Sequence, residues 1–220
     1  MLIVLEGAEG VGKSTQLRRL AEWFEARGET VVAVREPGGT VVGDEIRRML
    51  LDPASDITAH AEALLFMASR AQLVERVVRP ALAQGDAVLI DRFFLSTYAY
   101  QGAGRGLAED EIRAANRVAT GGLVPDLTLL LELPAGEGLA RAARRGEHDR
   151  MERAAAEFHR RVGEAFARFA TAEWQTAHPE CGPIVTIDAT GDEDAVFDRL
   201  RIAIERRWPG SFPNVASGRG

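Results

Sequence analysis

The chain has 220 residues, 46% of them hydrophobic, enough to bury a sizeable core in one domain. Its formal net charge of −6 excludes a general nucleic-acid binder, so any positive charge that matters acts locally. The single cysteine, Cys181, rules out an intrachain disulfide and fits a reducing compartment. No apolar run approaches the ~18 residues of a membrane span. A strand is expected from Leu2, which leaves no room for a signal peptide, so the expectation is a soluble cytoplasmic protein.

The run Leu2-Ile3-Val4-Leu5-Glu6 has the length of a buried strand. It leads straight into Gly7-Ala8-Glu9-Gly10-Val11-Gly12-Lys13-Ser14, followed by Thr15. This is the G-x-x-x-x-G-K-S pattern of a P-loop. Glycines let backbone N–H groups point inward around a phosphate, and the helix that follows adds the positive end of its dipole. Lys13 can reach the β- and γ-phosphates of a nucleotide, and the Ser14 hydroxyl suits Mg²⁺. The plainer reading is a Gly-rich turn between a strand and a helix. Of 27 basic residues only Lys13 is a lysine, the other 26 being arginine. A compact ammonium therefore stands at the one place where a planar fork would fit poorly.

Residues 13–27 show helical spacing of Leu17, Leu20, Ala21 and Phe24, and Gly28 ends the helix. A second strand over 30–34 runs into the turn Arg35-Glu36-Pro37-Gly38-Gly39-Thr40. Helices are expected at 41–51 and 58–84, then a strand at 87–90 ending in Asp91-Arg92. A short helix over 95–101, a flexible Gly102–Gly106 loop and a helix over 108–119 follow. A fourth strand spans 127–131, and a helix covers 135–145 until Gly146 breaks it. A long helix over 151–177, a strand at 184–187 and a helix at 192–207 complete the domain. The Pro/Gly/Ser-rich residues 208–220 read as a disordered tail. Strands alternating with helices predict an α/β fold, a mostly parallel five-stranded sheet with helices on both faces. Ligands then bind at the carboxyl ends of the strands.

Four apolar residues followed by Asp91 suit a metal-holding acid, though a lone Asp there also serves as a helix N-cap. Arg92 at the same strand end suits bidentate binding of a second phosphate. Phe66 and Arg70, spaced i, i+4, share a helix face that can stack on a base and donate to its carbonyl, or serve as plain core. The stretch from Arg141 through Arg144 and Arg145 to Arg150 flanks Gly146. It reads as a solvated helix surface or as a mobile lid over transferring phosphates, spanning about 141–153.

Taken together, residues 1–207 resemble bacterial thymidylate kinases. The matching motifs are the P-loop with Glu9, Arg35 to Thr40, and Phe66-x-x-x-Arg70 with Gln72-Leu73-Val74-Glu75. To these add Asp91-Arg92-Phe93, Leu95-Ser96-Thr97-x-Ala99-Tyr100-Gln101-Gly102 and Pro125-Asp126-Leu127-Thr128. The resemblance implies a P-loop kinase fold and phosphoryl transfer from ATP to dTMP, giving dTDP and ADP, with Mg²⁺ and a homodimer. It implies an ATP site over Gly7 to Thr15 with Arg141 and Arg145. It implies catalytic roles for Lys13, Glu9, Arg92 and Arg145, and metal binding by Ser14 and Asp91. The dTMP site would comprise Arg35, Pro37, Phe66, Arg70, Arg92, Ser96, Thr97, Tyr100 and Gln101. Phe66 would stack on thymine, Arg70 would donate to its O4, and Tyr100 would fill the space of a ribose 2′-hydroxyl. Since the P-loop holds no base at Ala8 to Val11, the catalytic lid charge would be Arg145. Two departures stand out: Glu132 where an Asp is common, and Tyr98 where a smaller residue is usual. A P-loop kinase for another nucleoside monophosphate or deoxynucleoside is the nearest alternative. A slow P-loop switch is the more distant one, and the chain has no Asn-Lys-x-Asp guanine motif.

Overall fold

The computed structural model describes residues 1–134, 136–138, 141, 149–151 and 153–212. Five strands form one sheet: β1 (Leu2–Glu6), β2 (Val31–Arg35), β3 (Ala87–Asp91), β4 (Leu127–Glu132) and β5 (Ile184–Asp188). Each lies within one residue of its expected bounds. The sheet is parallel throughout, in the order β2-β3-β1-β4-β5. Alternation along the strands divides the core. Val4, Val88 and Ile90 pack on one side with Phe93, Tyr98 and Phe166, while Ile3, Leu5 and Leu89 pack on the other with Leu20, Phe24 and Leu200. Register pairs Leu5 with Asp91 and Arg35 with Asp91, so the polar strand ends collect at one edge.

The helices are α1 (Lys13–Glu25), α2 (Val41–Leu51), α3 (Ala59–Leu73), α4 (Arg79–Gln84), α5 (Phe94–Thr97) and α6 (Glu109–Thr120). They continue as α7 (Ala156–Phe169), α8 (Ala172–Ala177) and α9 (Glu193–Arg207). Three expectations need correction. The helix expected over 58–84 widens into a π-helical turn at Val74–Val78. Pro80 explains this, because it lacks an N–H and its ring crowds the carbonyl one turn earlier. The helix expected over 151–177 starts at Ala156 and divides at Thr171. The Thr171 hydroxyl donates to the Arg168 carbonyl at 2.7 Å and accepts from Trp174 N–H, capping α8.

The third correction concerns Gly102–Gly106. Tyr98–Gly104 forms a π-helical turn instead of a flexible loop. A Cβ on Gly104 would sit 2.5 Å from the Phe158 ring of α7, so this glycine serves close packing. We expect Gly104→Ala to cost about 1–3 kcal/mol by overpacking, read as a lower urea midpoint at unchanged slope. An unchanged midpoint would remove this account of the turn.

The helix expected over 135–145 falls largely outside the described residues, as do Arg144, Arg145 and Gly146. Past α9, Phe212 is buried against Trp23 and Phe24, with ring centroids 5.2 Å from each. The near part of the tail thus contributes an aromatic side chain to the core. Among the described residues no helix is long and apolar enough to cross a membrane.

Candidate active site

A cavity of about 260 Å³ opens at the carboxyl edge of the sheet, lined from the P-loop, β2, α2, α3, β3 and the Tyr98–Gly104 turn. On its P-loop side β1 gives way to Gly7–Gly12 and then α1. Gly10 has φ +74°, and a Cβ there would meet the Gly138 carbonyl oxygen at 1.9 Å, so only glycine fits. Lys13 is buried and donates to the carbonyls of Gly7 at 2.9 Å and Ala8 at 2.7 Å. An ammonium has three donors, so one is left for a ligand. Burial first, then the nearby Arg92 charge, pushes the Lys13 ammonium down to about 8. Gly12, Ser14 and Thr15 line the same mouth. Val11 is buried in the core beneath the loop.

Ser14 Oγ donates to Asp91 Oδ2 at 2.7 Å across the P-loop and β3. The other Asp91 oxygen, Oδ1, is buried with no hydrogen-bond partner among the described residues. A buried carboxylate oxygen without a donor fits a cation. Among the described residues no cluster of three His, Cys, Asp or Glu could cage a metal alone.

Arg92 follows Asp91 with φ +70°, a left-handed conformation rare for a side-chain-bearing residue and strained. Glu6 explains how the turn is held. It is fully buried at the end of β1 and accepts from Phe93 N–H at 2.7 Å, Ser96 N–H at 3.1 Å and Ser96 Oγ at 2.6 Å. Arg92 Nη1 donates to Gly7 O at 3.2 Å and Ser96 Oγ at 3.1 Å, and its guanidinium lies 5.0 Å from the Tyr100 ring centre. Burial works against its charge, but Tyr100, Glu9, Asp91 and Glu6 outweigh it and raise the Arg92 value. Tyr100 donates to Glu9 Oε1 at 2.5 Å. Burial alone would push the Glu9 carboxyl up. Arg92, the Tyr100 hydroxyl and Lys13 overcome it and hold Glu9 below the usual carboxylate range.

On the opposite wall stand Phe66 and Arg70, one turn apart on α3, with Arg35, Pro37 and Arg47 nearby. Arg70 is fully enclosed. Its Nε donates to Glu36 Oε2 at 2.7 Å and its Nη2 lies 2.6 Å from the same oxygen. Nη2 also donates to Phe93 O at 2.7 Å, and Nη1 donates to Thr97 Oγ1 at 3.0 Å and to Asn116 Oδ1. Arg70 thus makes four side-chain hydrogen bonds and an ion pair to protein groups, so a base carbonyl would compete with these acceptors for its donors. Glu36 Oε1 has no partner among the described residues, and burial pushes its carboxyl up although Arg70 opposes this. Gln101 also lines the cavity but turns its amide nitrogen to Glu62.

The structure thus brings together Lys13, Ser14, Thr15, Glu9, Arg35, Pro37, Phe66, Arg70, Asp91, Arg92, Ser96, Thr97, Tyr100 and Gln101 around one cavity. Arg141 instead pairs with Glu137 at 3.8 Å on the surface, outside the cavity lining, and Arg145 lies outside the described residues. Tyr98 does not face the cavity. It is buried, with its hydroxyl on Glu180 at 2.6 Å and its ring 5.5 Å from Trp174, so this departure is absorbed in the core. Glu132 lies at the end of β4, partly exposed, where burial pushes its carboxyl up. Sequence reasoning marked Glu36 at its strand end without giving it a role, and missed Glu6, Arg47, Glu62 and Asn116. An acid ending an apolar strand, as Glu6 does, was the one local signal available.

Chemically, this cavity offers a phosphate cradle, a cation seat and two fixed cations on one side, and an aromatic face on the other. The family model for thymidylate kinase matches residues 5–196. The chain is 48% identical over 207 residues to the thymidylate kinase of Deinococcus radiodurans, covering 94% of this chain and 97% of that one. It is 48% identical over 211 residues to the thymidylate kinase of a Synechococcus strain, covering 95% and 96%. The crystal structure of thymidylate kinase from Ehrlichia chaffeensis superposes with a TM-score of 0.71 at 30% identity, over 94% of this chain and 98% of that one. On its sequence, its parallel P-loop architecture and these matches, the chain belongs to the thymidylate kinase family.

Proposed function

We propose that this enzyme transfers the γ-phosphoryl group of ATP to dTMP, giving dTDP and ADP. The observation that carries the reading is one cavity with Lys13, Ser14 and Asp91 at one end, Phe66 and Arg70 at the other, and Arg92 between them. The names of the relatives support it. The domain is residues 1–207, with the lid at 141–153. The backbone of Gly7 to Thr15 cradles the ATP phosphates, and Lys13 turns its third N–H to them. Ser14 and Asp91 would hold Mg²⁺, which neutralises charge shared between the β- and γ-phosphates. Arg92, pinned by Glu9, Tyr100 and Ser96, receives the dTMP phosphate, with Arg35 and Arg47 adding positive charge. Phe66 stacks on thymine beside Pro37. Arg70 lends a donor to O4 by sharing Nη1 between the base and Thr97. Tyr100 packs under the deoxyribose.

Little covalent work falls to the protein. The acceptor phosphate is itself an anionic nucleophile, so no general base is needed. Positioning of two phosphates in line and preorganised positive charge supply the rate. Closing Arg141 and Arg145 over the site would exclude water, which otherwise hydrolyses ATP. A homodimer fits the exposed apolar side chains Val42 and Met49 on α2, Leu64 on α3 and Val118 on α6. Sedimentation at equilibrium should return twice the chain mass, and a monomer would refute the dimer.

A coupled ADP-release assay over dTMP, dUMP, dCMP, dGMP, AMP and thymidine tests the function. The expected result is a strong rate with dTMP. A strong rate with another monophosphate in its place would retain the fold and discard the roles of Phe66 and Arg70. Turnover independent of any acceptor would favour a P-loop switch.

A further inference from the structure

The base end of the cavity rests on a buried acid that phosphoryl transfer does not use. Glu62 lies one turn before Phe66 on α3 and is 0% exposed. Its Oε1 accepts from Gln101 Nε2 at 2.9 Å and Arg105 Nε at 3.1 Å. Its Oε2 accepts from Arg105 Nη2 at 3.1 Å and Arg150 Nη2 at 2.6 Å. Burial would raise this carboxyl, but the bonds from Arg105, Gln101 and Arg150 outweigh it and hold it low. An ionised carboxylate only accepts hydrogen bonds. Gln101 must therefore turn its NH₂ toward Glu62, which leaves its carbonyl oxygen as the group it can offer to the cavity it lines.

The same acid reaches the segment that follows the lid arginines. Arg150 donates from Nε to Leu50 O at 2.7 Å and from its backbone N–H to Leu51 O at 3.0 Å, both at the end of α2. Asp149 and Met151, its neighbours, line the cavity beside Leu51. Glu62 thus joins α3, the Tyr98–Gly104 turn and the lid's return segment through one carboxylate.

We propose that Glu62 is a positioning residue for base recognition: it fixes Gln101 with its carbonyl toward the base edge and, through Arg150, holds Asp149–Met151 against the same cavity. The inference rests on the dTMP reading above. A fixed acceptor suits a pyrimidine with an N–H at position 3, as in dTMP and dUMP. Cytosine presents a lone pair there, which would meet the lone pair of the Gln101 carbonyl. The selected class is therefore the 4-oxo pyrimidine monophosphates.

The test is steady-state kinetics on full-length Glu62→Gln, Gln101→Ala and the double variant, with dTMP, dUMP and dCMP. In Glu62→Gln the amide at position 62 can donate or accept, and Gln101 is free to flip. The ratio of kcat/KM for dTMP over dCMP should fall about tenfold or more, mainly through a higher KM for dTMP. The ratio for dTMP over dUMP should stay unchanged, because both carry N3–H. The double variant should match Gln101→Ala in selectivity, since Glu62 acts through Gln101. An unchanged dTMP-to-dCMP ratio in folded Glu62→Gln, or additive losses, would overturn the inference. A parent enzyme with no preference for dTMP would instead overturn the functional reading. Should Glu62→Gln fail to fold, the side-chain amide resonances of Gln101 in the ¹⁵N-labelled parent decide. They should barely move on adding dTMP, and a large shift, as the N–H groups leave Glu62 for the base, would overturn it.

Discussion

Lys13→Ala should lower turnover by about three powers of ten and leave the fold intact. The ammonium closes the P-loop mouth from inside, holding the carbonyls of Gly7 and Ala8. Its remaining N–H has no substitute, because Arg92 is anchored to Gly7 and Ser96 from the other side. Thermal unfolding of the variant should stay near the parent value, since a buried ammonium with a depressed pKa is itself a burden on the empty fold. Near-normal turnover would remove Lys13 from catalysis. The pKa of about 8 adds a second readout. In the proposed mechanism Lys13 binds phosphate as the ammonium, and it loses its proton as pH rises past that value in the free enzyme. The profile of kcat/KM for ATP should therefore fall above about pH 8, approaching about tenfold per pH unit, while kcat falls at higher pH because bound phosphate favours the charged form. A flat profile through this range would contradict the assignment.

Arg70→Ala should be the most damaging change at the base end. It leaves the Glu36 carboxyl buried without its counter-charge and strips acceptors at Thr97, Asn116 and the Phe93 carbonyl of their donor. Breaking a buried pair in this way costs about 3–5 kcal/mol, read from chemical unfolding. The sign of its pH dependence follows from Glu36. Burial already raises that carboxyl in the parent, and removing Arg70 raises it further. A folded-state acid with a raised pKa binds more protons than the unfolded chain, so it loses stability as pH rises and regains it as pH falls. The deficit of the variant relative to the parent should therefore shrink toward low pH. Binding supplies the functional half. dTMP affinity should drop far more than ATP affinity, because the proposed ATP site is at the other end of the cavity. Equal losses for both nucleotides would make Arg70 purely structural.

The parts of this molecule that could be read from sequence are those whose physics is local. An apolar run of five residues, a glycine pattern and a following helix place the P-loop between β1 and α1 without any tertiary information. The strand ends Asp91 and Arg35 were legible for the same reason, since a parallel sheet aligns its carboxyl ends. What was hidden depends on contacts between distant segments. The partners of Arg70 come from β2's end, the Asp91–Thr97 region and α6, and no spacing along α3 indicates them. Glu62 looks like an ordinary helix-surface acid until Gln101, Arg105 and Arg150 converge on it. Glycines were ambiguous in the same way. Gly104 reads as a flexible joint, but its missing Cβ makes room for Phe158.

Transfer of the γ-phosphoryl group to dTMP, and not to water, is what the label of ATP can follow. The enzyme is incubated with ATP labelled at the γ-phosphorus, Mg²⁺ and dTMP, and the products are separated by thin-layer chromatography. Label should leave ATP for dTDP with little released as inorganic phosphate, and omitting dTMP should nearly stop consumption of ATP. Label appearing chiefly as inorganic phosphate, at a rate indifferent to dTMP, would contradict it.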